Sequence, residues 1–528
     1  MANKLFLAII CLTLCFLPGA YTQDTGGEIV CKVIRADSGA PVFYSTVKLF
    51  GTNRGTIADD KGQFRLPGNL NSSQKIILSS IGYEIKEVYI SDLKPNTLNL
   101  IYLQPSIDKL ATVVLRSKKK KRQLSAKRIV KKAIASIKEN YSQTPFSYIA
   151  YYRDYQQPID SSYVLNTDQE IYPEYINLNE SILHVFDAGF DTDHLDNDDN
   201  QTVLYSYLRN EDFARDSLFT VPYDNYKKKY LKDVVIPPLG GNELNLLTLT
   251  DAVRNYNKRS FSFVESLKLD FVKNHRFKLN KVNYLDDIAL YEIDFYSYKD
   301  ITKSTYRGKG KIYISKEDYA IHKLSYGLYG SKNEFPLYAV NIEYKKNGEK
   351  MYLNYITFNN RFEIYGDPSF AIEEIIYNVN NSSFDVVFNK DFDRLSIKTR
   401  RKKIKLSYEE QKIDIEDVLL FSRHIRIKVN KNQMQKIPNL NAEGLSKNIK
   451  LLMKGITDTK GNVLNEAPKL ALNQYREIFV QEVFTESRLE PRFKVVDKQA
   501  PLSSSEINEF NDKHLYWINT PLKKNKKH

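Results

Sequence analysis

The chain is short of several things, and each shortage excludes something. It has three cysteines in 528 residues, and two of them, Cys11 and Cys15, fall within the first fifteen. The remaining one, Cys31, can form neither an intramolecular disulfide nor a multi-cysteine metal site. Its setting in Ile29-Val30-Cys31-Lys32-Val33 predicts a buried core thiol rather than a nucleophile. The seven histidines stand at 184, 194, 275, 322, 424, 514 and 528, none in a His-x-x-Glu or His-Glu-x-x-His pattern. A zinc peptidase therefore lacks its ligands. Gly-x-Ser-x-Gly, Gly-x-x-x-x-Gly-Lys-Ser/Thr and Gly-x-Gly-x-x-Gly are all missing, which excludes the nucleophile elbow, the phosphate loop and the dinucleotide fingerprint. Glycine (21) and proline (18) are modest beside 42% hydrophobic and 27% charged residues. Collagen-like, low-complexity and wholly disordered chains are thereby excluded. No stretch past the N-terminus reaches the 18 or so apolar residues of a transmembrane helix.

What is there leans toward strands. Thirty-seven tyrosines and 27 phenylalanines accompany a single tryptophan, and Tyr and Phe suit a pleated, half-buried surface. At about 100–200 residues per domain the length predicts three or four domains. Met1 to Thr22 reads as a signal peptide. Lys4 gives the positive start, Leu5 to Leu17 the apolar core, and Pro18-Gly19-Ala20 the break before a cut near Ala20 or Thr22. Cys11 and Cys15 follow Ile10 and Leu14, which fits a lipoprotein cut badly. A large secreted chain without disulfides fits a bacterial periplasm. The predicted location is periplasmic or outer-membrane-associated, through a cleaved signal. The net charge of +14 is spread over basic runs at 116–122, 400–405 and 523–527, so a nucleic-acid surface is not expected.

The predicted fold class is mainly β, α+β overall. Residues 27–105 alternate in short strands (29–34, 45–50, 63–66, 76–83, 84–90 and 98–103) with turns at 37–41, 51–56 and 59–62, the pattern of a small β-sandwich. Residues 106–124 form a basic linker, and 125–141 an amphipathic helix with the apolar stripe Ile129, Val130, Ala133, Ile134 and Ile137. Residues 142–258 are mixed, with an acidic loop at 187–200. Residues 259–383 read as an antiparallel meander whose hairpin turns are 286–287, 316–318 and 346–349. Residues 384–528 form a mixed C-terminal region, with 470–484 helical or extended.

The opening Gly27-Glu28-Ile29-Val30, then Gly39-Ala40-Pro41-Val42, Gly51-Thr52, Gly55-Thr56 with Asp59, Gly62-Gln63-Phe64 and Ser80-Ile81-Gly82-Tyr83 resemble the carboxypeptidase regulatory-like domain, a transthyretin-like sandwich. The resemblance implies a structural or interaction module of the kind found in Bacteroidetes periplasmic proteins and as N-terminal extensions of their outer-membrane receptors. It implies no catalytic residue. Gly308-Lys309-Gly310-Lys311-Ile312-Tyr313-Ile314-Ser315 with Tyr319 to Leu324 is similar to the pattern of periplasmic lipoprotein-carrier half-barrels. That similarity implies a curved sheet able to hold something apolar. A receptor barrel is excluded, because 528 residues do not supply some twenty membrane strands after residue 115.

Asp191, Asp193, Asp196, Asp198 and Asp199 are the one metal-like cluster. Without the central Gly and distal Glu of an EF-hand they read as a solvated loop, with Ca²⁺ as the rival reading. His275 and His322 read as ordinary sheet residues, and Gly308-Lys309-Gly310 as a turn. No catalytic, cofactor or metal residue is assigned, and no cofactor is expected. The expected function is that of a non-enzymatic cell-envelope protein with an envelope protein or an anionic surface as partner. Alternatives are a carrier of lipid or lipoprotein in the 259–383 sheet and a glycan-active enzyme with dispersed carboxylates.

Overall fold

The computed structural model of the chain describes residues 29–106, 124–159, 176–211, 229–230, 244–256, 271–298, 306–330, 336–400, 403–437, 449–511 and 515–516, apart from 67, 69, 286, 366–367, 409–410, 467–468 and 487. The expected signal at 1–22 and the basic runs at 116–122 and 523–527 lie outside them, as do His514 and His528.

Residues 29–103 form two small sheets around one core. The strands are β1 (Ile29–Arg35), β2 (Thr46–Leu49), β3 (Gly55–Ile57), β4 (Gln63–Leu66), β5 (Lys75–Ser79), β6 (Lys86–Tyr89) and β7 (Leu98–Leu103). They are ordered β4-β1-β7 in one sheet and β3-β2-β5-β6 in the other. Alternate residues point inward, so Cys31 and Val33 of one sheet meet Val47, Leu49, Ile76 and Leu78 of the other. Burial pushes the Cys31 thiol up to about 12, which leaves it inert, as its apolar neighbours predict. Composition predicts a turn throughout 51–56, yet Gly55 opens β3. Its N–H is held by the distant side chain of Gln481, a tertiary contact that no local pattern announces.

After the sandwich come α1 (Ala126–Ala135) and α2 (Ile137–Asn140), interrupted at Ser136. The body follows with β8 (Phe146–Pro158), β9 (Ile176–Asp187), β10 (Gln201–Arg209), β11 (Lys229–Tyr230), α3 (Leu244–Thr250) and α4 (Phe271–Asn274). Next are β12 (His275–Leu285), β13 (Ile288–Ser297), β14 (Tyr306–Ser315), β15 (Ile321–Gly330), β16 (Pro336–Asn347) and β17 (Lys350–Tyr365). A separate compact unit contains residues 225–230 and 363–471. Its elements are β18 (Ile372–Asn378), β19 (Ser383–Phe388), α5 (Arg394–Arg400), β20 (Ile404–Tyr408), β21 (Gln411–Ile413), β22 (Ile415–Leu420), β23 (His424–Val429), α6 (Lys431–Met434) and β24 (Ile449–Met453). They build two small sheets around a core of Phe370, Phe384, Phe388, Ile425 and Ile427. The last strand is β25 (Lys469–Phe484).

The body's sheet runs β10-β9-β8-β25-β17-β16-β15-β14-β13-β12, with β11 paired to β17. Strands β12 to β17 pair antiparallel in chain order, the arrangement of a meander. Strand β25 instead enters between β8 and β17, with Tyr475 opposite Tyr155 and Phe479 opposite Tyr151. The compact units therefore divide the chain differently from the expected boundaries at 258, 383 and 528. The unit at 363–471 interrupts the sheet in sequence, and β25 returns to complete it. Within the segment expected to be mixed, residues 201–209 form the regular strand β10. One further reading changes. Gly308-Lys309-Gly310 is the middle of β14 and not a turn.

Candidate functional site

Period-2 alternation sorts the sheet's side chains onto two faces. On the inner face lie Tyr152, Ile478, Ile314, Leu324, Tyr344 and Phe358, all buried. The apolar stripe of α1 and α2 (Ile129, Val130, Ala133, Ile137) closes over them, with Leu246, Val253 and Phe271 beside it. The helix thus docks on the sheet, in keeping with a stripe that has no Trp or Phe. Tyr141 ends the helical segment fully buried, stacked on Phe190 at 4.7 Å, and its hydroxyl donates to the Ile321 carbonyl at 2.7 Å. A recess beside the inner face is lined by Tyr148, His194, Asn245, Thr248 and Lys498 among others, with about 30 Å³ of space. That is room for about two waters.

The outer face carries the sandwich. Ile57, Tyr355 and Phe479 form an apolar contact with Tyr44 against it. Asn354 Nδ2 donates to Thr46 Oγ1 at 3.2 Å and to Glu343 Oε1 at 3.0 Å, and Gly82 N–H donates to the Tyr284 carbonyl at 3.0 Å. At the centre of this seam Arg153 of β8 is ion-paired to Glu477 of β25, their side chains 6% and 4% exposed. The guanidinium lies 6.0 Å from the Tyr151 ring centroid and 5.9 Å from that of Tyr155. Tyr155 stacks on Tyr475 at 5.0 Å, and the Tyr475 hydroxyl donates to Asp60 Oδ2 of the sandwich at 3.2 Å. Asp60 is pushed up to about 6, first by burial and then by the charges of Asp59 and Glu477.

Because the Asp60 carboxyl holds its proton more tightly in the folded chain than when unfolded, folding takes up a proton between about pH 4 and 6. Stability falls as pH rises through that window and is flat above it. Asp60→Asn removes the buried charge and keeps an acceptor for Tyr475. It should stabilise the chain at pH 7.5 by about 2 kcal/mol and abolish this component of the pH dependence. Denaturant titrations at pH 4.5 and 7.5 check it, and a variant less stable than the wild type at pH 7.5 would contradict it.

Two constellations carry residue types used in catalysis or metal binding. Ser147 Oγ lies 2.9 Å from His184 Nε2, and His184 Nδ1 lies 2.9 Å from the Tyr205 hydroxyl. The spacing is that of a nucleophile and its base. Ser147 is fully buried, however, the third member is a phenol, and burial lowers His184 to about 4. No sequence motif announces this trio, because its members lie on three strands.

The acidic loop 188–200 is held from within. Asp193 Oδ1 accepts from the N–H groups of Leu195 and Asp196, and Asp191 pairs with Lys138 at 3.2 Å. The Lys498 ammonium donates to the carbonyls of Leu195 and Asn197 at 3.2 and 2.9 Å. Asp187 at the loop's root pairs with Arg254 at 2.5 and 3.0 Å. No three metal-ligating side chains come together among the described residues, so Asp191, Asp193, Asp196, Asp198 and Asp199 are not gathered on one point. A lysine ammonium answers the loop's charge instead. His275 and His322 are buried in β12 and β15, and burial lowers both to about 4. His275 bridges the Phe271 carbonyl and the Tyr326 hydroxyl. No helix among the described residues is long and apolar enough to cross a membrane.

Two solved structures are similar to the chain at 12% identity, over 45% of this chain and 86% of theirs, with a TM-score of 0.18. One is a LolA superfamily protein from Nitrosomonas europaea and the other a DUF1329 family protein from Desulfovibrio piger. A score so low carries no inference about fold or ligand. No curated protein matches the chain. Residues 29–115 match the family model of the CarboxypepD_reg-like domain, so the sandwich on the outer face of the sheet is a domain of that family.

Proposed function

We propose that the chain is a non-enzymatic, secreted cell-envelope protein of a Gram-negative bacterium. Its CarboxypepD_reg-like domain is an interaction or structural module, and the β-rich body is the scaffold that presents it. The observation that carries this reading is the occupancy of the sheet: helices and aromatic side chains fill the inner face, and the sandwich sits on the outer one. A protein organised this way exposes surfaces rather than an interior. The buried carboxylates of the body fit the same reading. Glu477 is spoken for by Arg153, Asp187 by Arg254, and Glu180 by the Tyr151 hydroxyl at 2.6 Å. These three are engaged by partners rather than facing one another across a groove.

Location is tested by fractionating the native cell and sequencing the N-terminus of the recovered chain. It should be found with the envelope and begin just after Ala20 or Thr22. Recovery from the cytoplasm with Met1 and its following residues intact would overturn the proposal. The carrier reading keeps one supporting feature, the continuous aromatic and aliphatic lining of the inner face from β13 to β17. It requires that lining to open.

A further inference from the structure

The sandwich covers only part of the outer face. Its contacts reach Asn283 and Tyr284, Asn354 and Tyr355, Tyr475 and Phe479. Among the described residues none of the sandwich's contacts reaches the opposite corner, where β12 to β15 run toward Tyr298 and Arg307. There the register aligns Arg276, Tyr296, Lys309 and Gly327 side by side on four adjacent strands. Neighbouring strands are about 4.8 Å apart, so the row spans roughly 14 Å. Lys278 lies two residues along from Arg276, and Tyr329 two along from Gly327. Cations and rings are interleaved: Arg276 lies 5.9 Å from the Tyr296 ring centroid and Lys309 4.0 Å from that of Tyr329. Gly327 makes the platform flat, because a Cβ there would meet the Tyr329 ring at 2.8 Å. Arg276, Lys278 and Lys309 are exposed and have no acid partner among the described residues. The acids of this corner, Glu292 and Asp294, are both taken by Lys311 at 2.5 and 3.1 Å. Tyr296 and Tyr298 are 40% and 41% exposed.

We infer that this corner of the outer face, Arg276, Lys278, Tyr296, Lys309 and Tyr329, is a docking surface for an acidic polysaccharide. Unpaired cations supply the charge complement. Exposed tyrosine faces supply flat apolar area beside a hydroxyl, which suits the alternating C–H and O–H faces of sugars. A membrane surface would call for aliphatic side chains that insert, and the large apolar side chains exposed in this row and beside it are tyrosines. The choice of a glycan over a nucleic-acid strand rests on the proposed envelope location; the surface itself does not.

The test is binding of the full chain to polygalacturonate, with neutral dextran, oligo(dT) and anionic phospholipid vesicles as alternative probes. The wild type should bind polygalacturonate and not dextran. Arg276→Glu with Lys309→Glu should weaken binding by at least about tenfold. Tyr296→Ser, which leaves the charge unchanged, should weaken it by about threefold. Lys86→Glu, exposed on the sandwich, should leave it unchanged, and circular dichroism of each variant should match the wild type. The inference is overturned by no wild-type binding, by equal binding of the Arg276/Lys309 variant, or by tighter binding of oligo(dT) or vesicles at the same salt. A cytoplasmic chain that still binds polygalacturonate through these residues would sink the envelope reading and leave the surface standing.

Discussion

Alanine at position 310 should destabilise the chain by about 3–5 kcal/mol. Gly310 lies in the middle of β14, opposite Phe295 on one side and Tyr326 on the other. A Cβ there would sit 1.9 Å from the Ser325 carbonyl oxygen and 2.5 Å from Phe295 Cζ. The first obstacle is the backbone of the next strand, which cannot retreat without opening the ladder. The second is a ring with no exposure that fills the space the glycine leaves. Gly348→Ala is the control. Gly348 adopts φ +62 in a hairpin turn, and a Cβ added to it would have nothing within 4 Å. Only the left-handed backbone is then penalised, by about 1 kcal/mol. Urea unfolding of both variants separates the two costs. A Gly310→Ala penalty no larger than that of Gly348→Ala would contradict the packing described for the inner face.

Glu477→Ala should cost about 3–5 kcal/mol, because it strands the Arg153 guanidinium beneath the sandwich. Burial works against the Glu477 charge and Arg153 works for it, so the two side chains stand or fall together. Replacing both at once, Arg153→Met with Glu477→Leu, removes two desolvation costs along with the attraction. It should restore most of the loss. With the single variants Arg153→Met and Glu477→Leu alongside, denaturation midpoints complete a double-mutant cycle. Equal penalties for the single and the double variant would show that the seam depends on the ion pair itself.

How much of this is legible in the sequence depends on how far apart the partners lie. Strands β12 to β17 can be read because short polar segments punctuate them, as at 316–318 and 346–349, and because apolar residues alternate along them. The sandwich is legible for the same reason: Gln63–Leu66 and Leu98–Leu103 fall where the alternation puts them. Strand β25 is not, because its partner β8 is more than 300 residues away and both of its faces are buried. Gln474, Arg476 and Glu477 are nearly fully covered, so the strand shows neither polar–apolar alternation nor an apolar run. The seam is hidden for a related reason. Arg153 and Glu477 are 324 residues apart. The trace they leave is a pair of adjacent charges beside aromatic residues, in Tyr151-Tyr152-Arg153-Asp154-Tyr155 and again in Tyr475-Arg476-Glu477. A charge in such a setting points to a partner across the sheet without saying which. The glycines of β14 mislead for a simpler reason: Gly308-Lys309-Gly310 has turn composition, and only the neighbouring Ser325 backbone and the ring of Phe295 explain Gly310 in mid-strand.

Among the described residues the chain's own helices and side chains fill the inner face of the sheet, which predicts a body that carries no lipid. The direct measurement is quantitative lipid extraction and mass spectrometry of the full chain purified without detergent from lipid-containing cells, beside native mass spectrometry of the intact protein. The expected result is the bare polypeptide mass, with lipid far below one molecule per chain. A lipid or acylated peptide recovered at about one per chain, and lost when Tyr344 and Phe358 are replaced by polar residues in a chain that still folds, would contradict it.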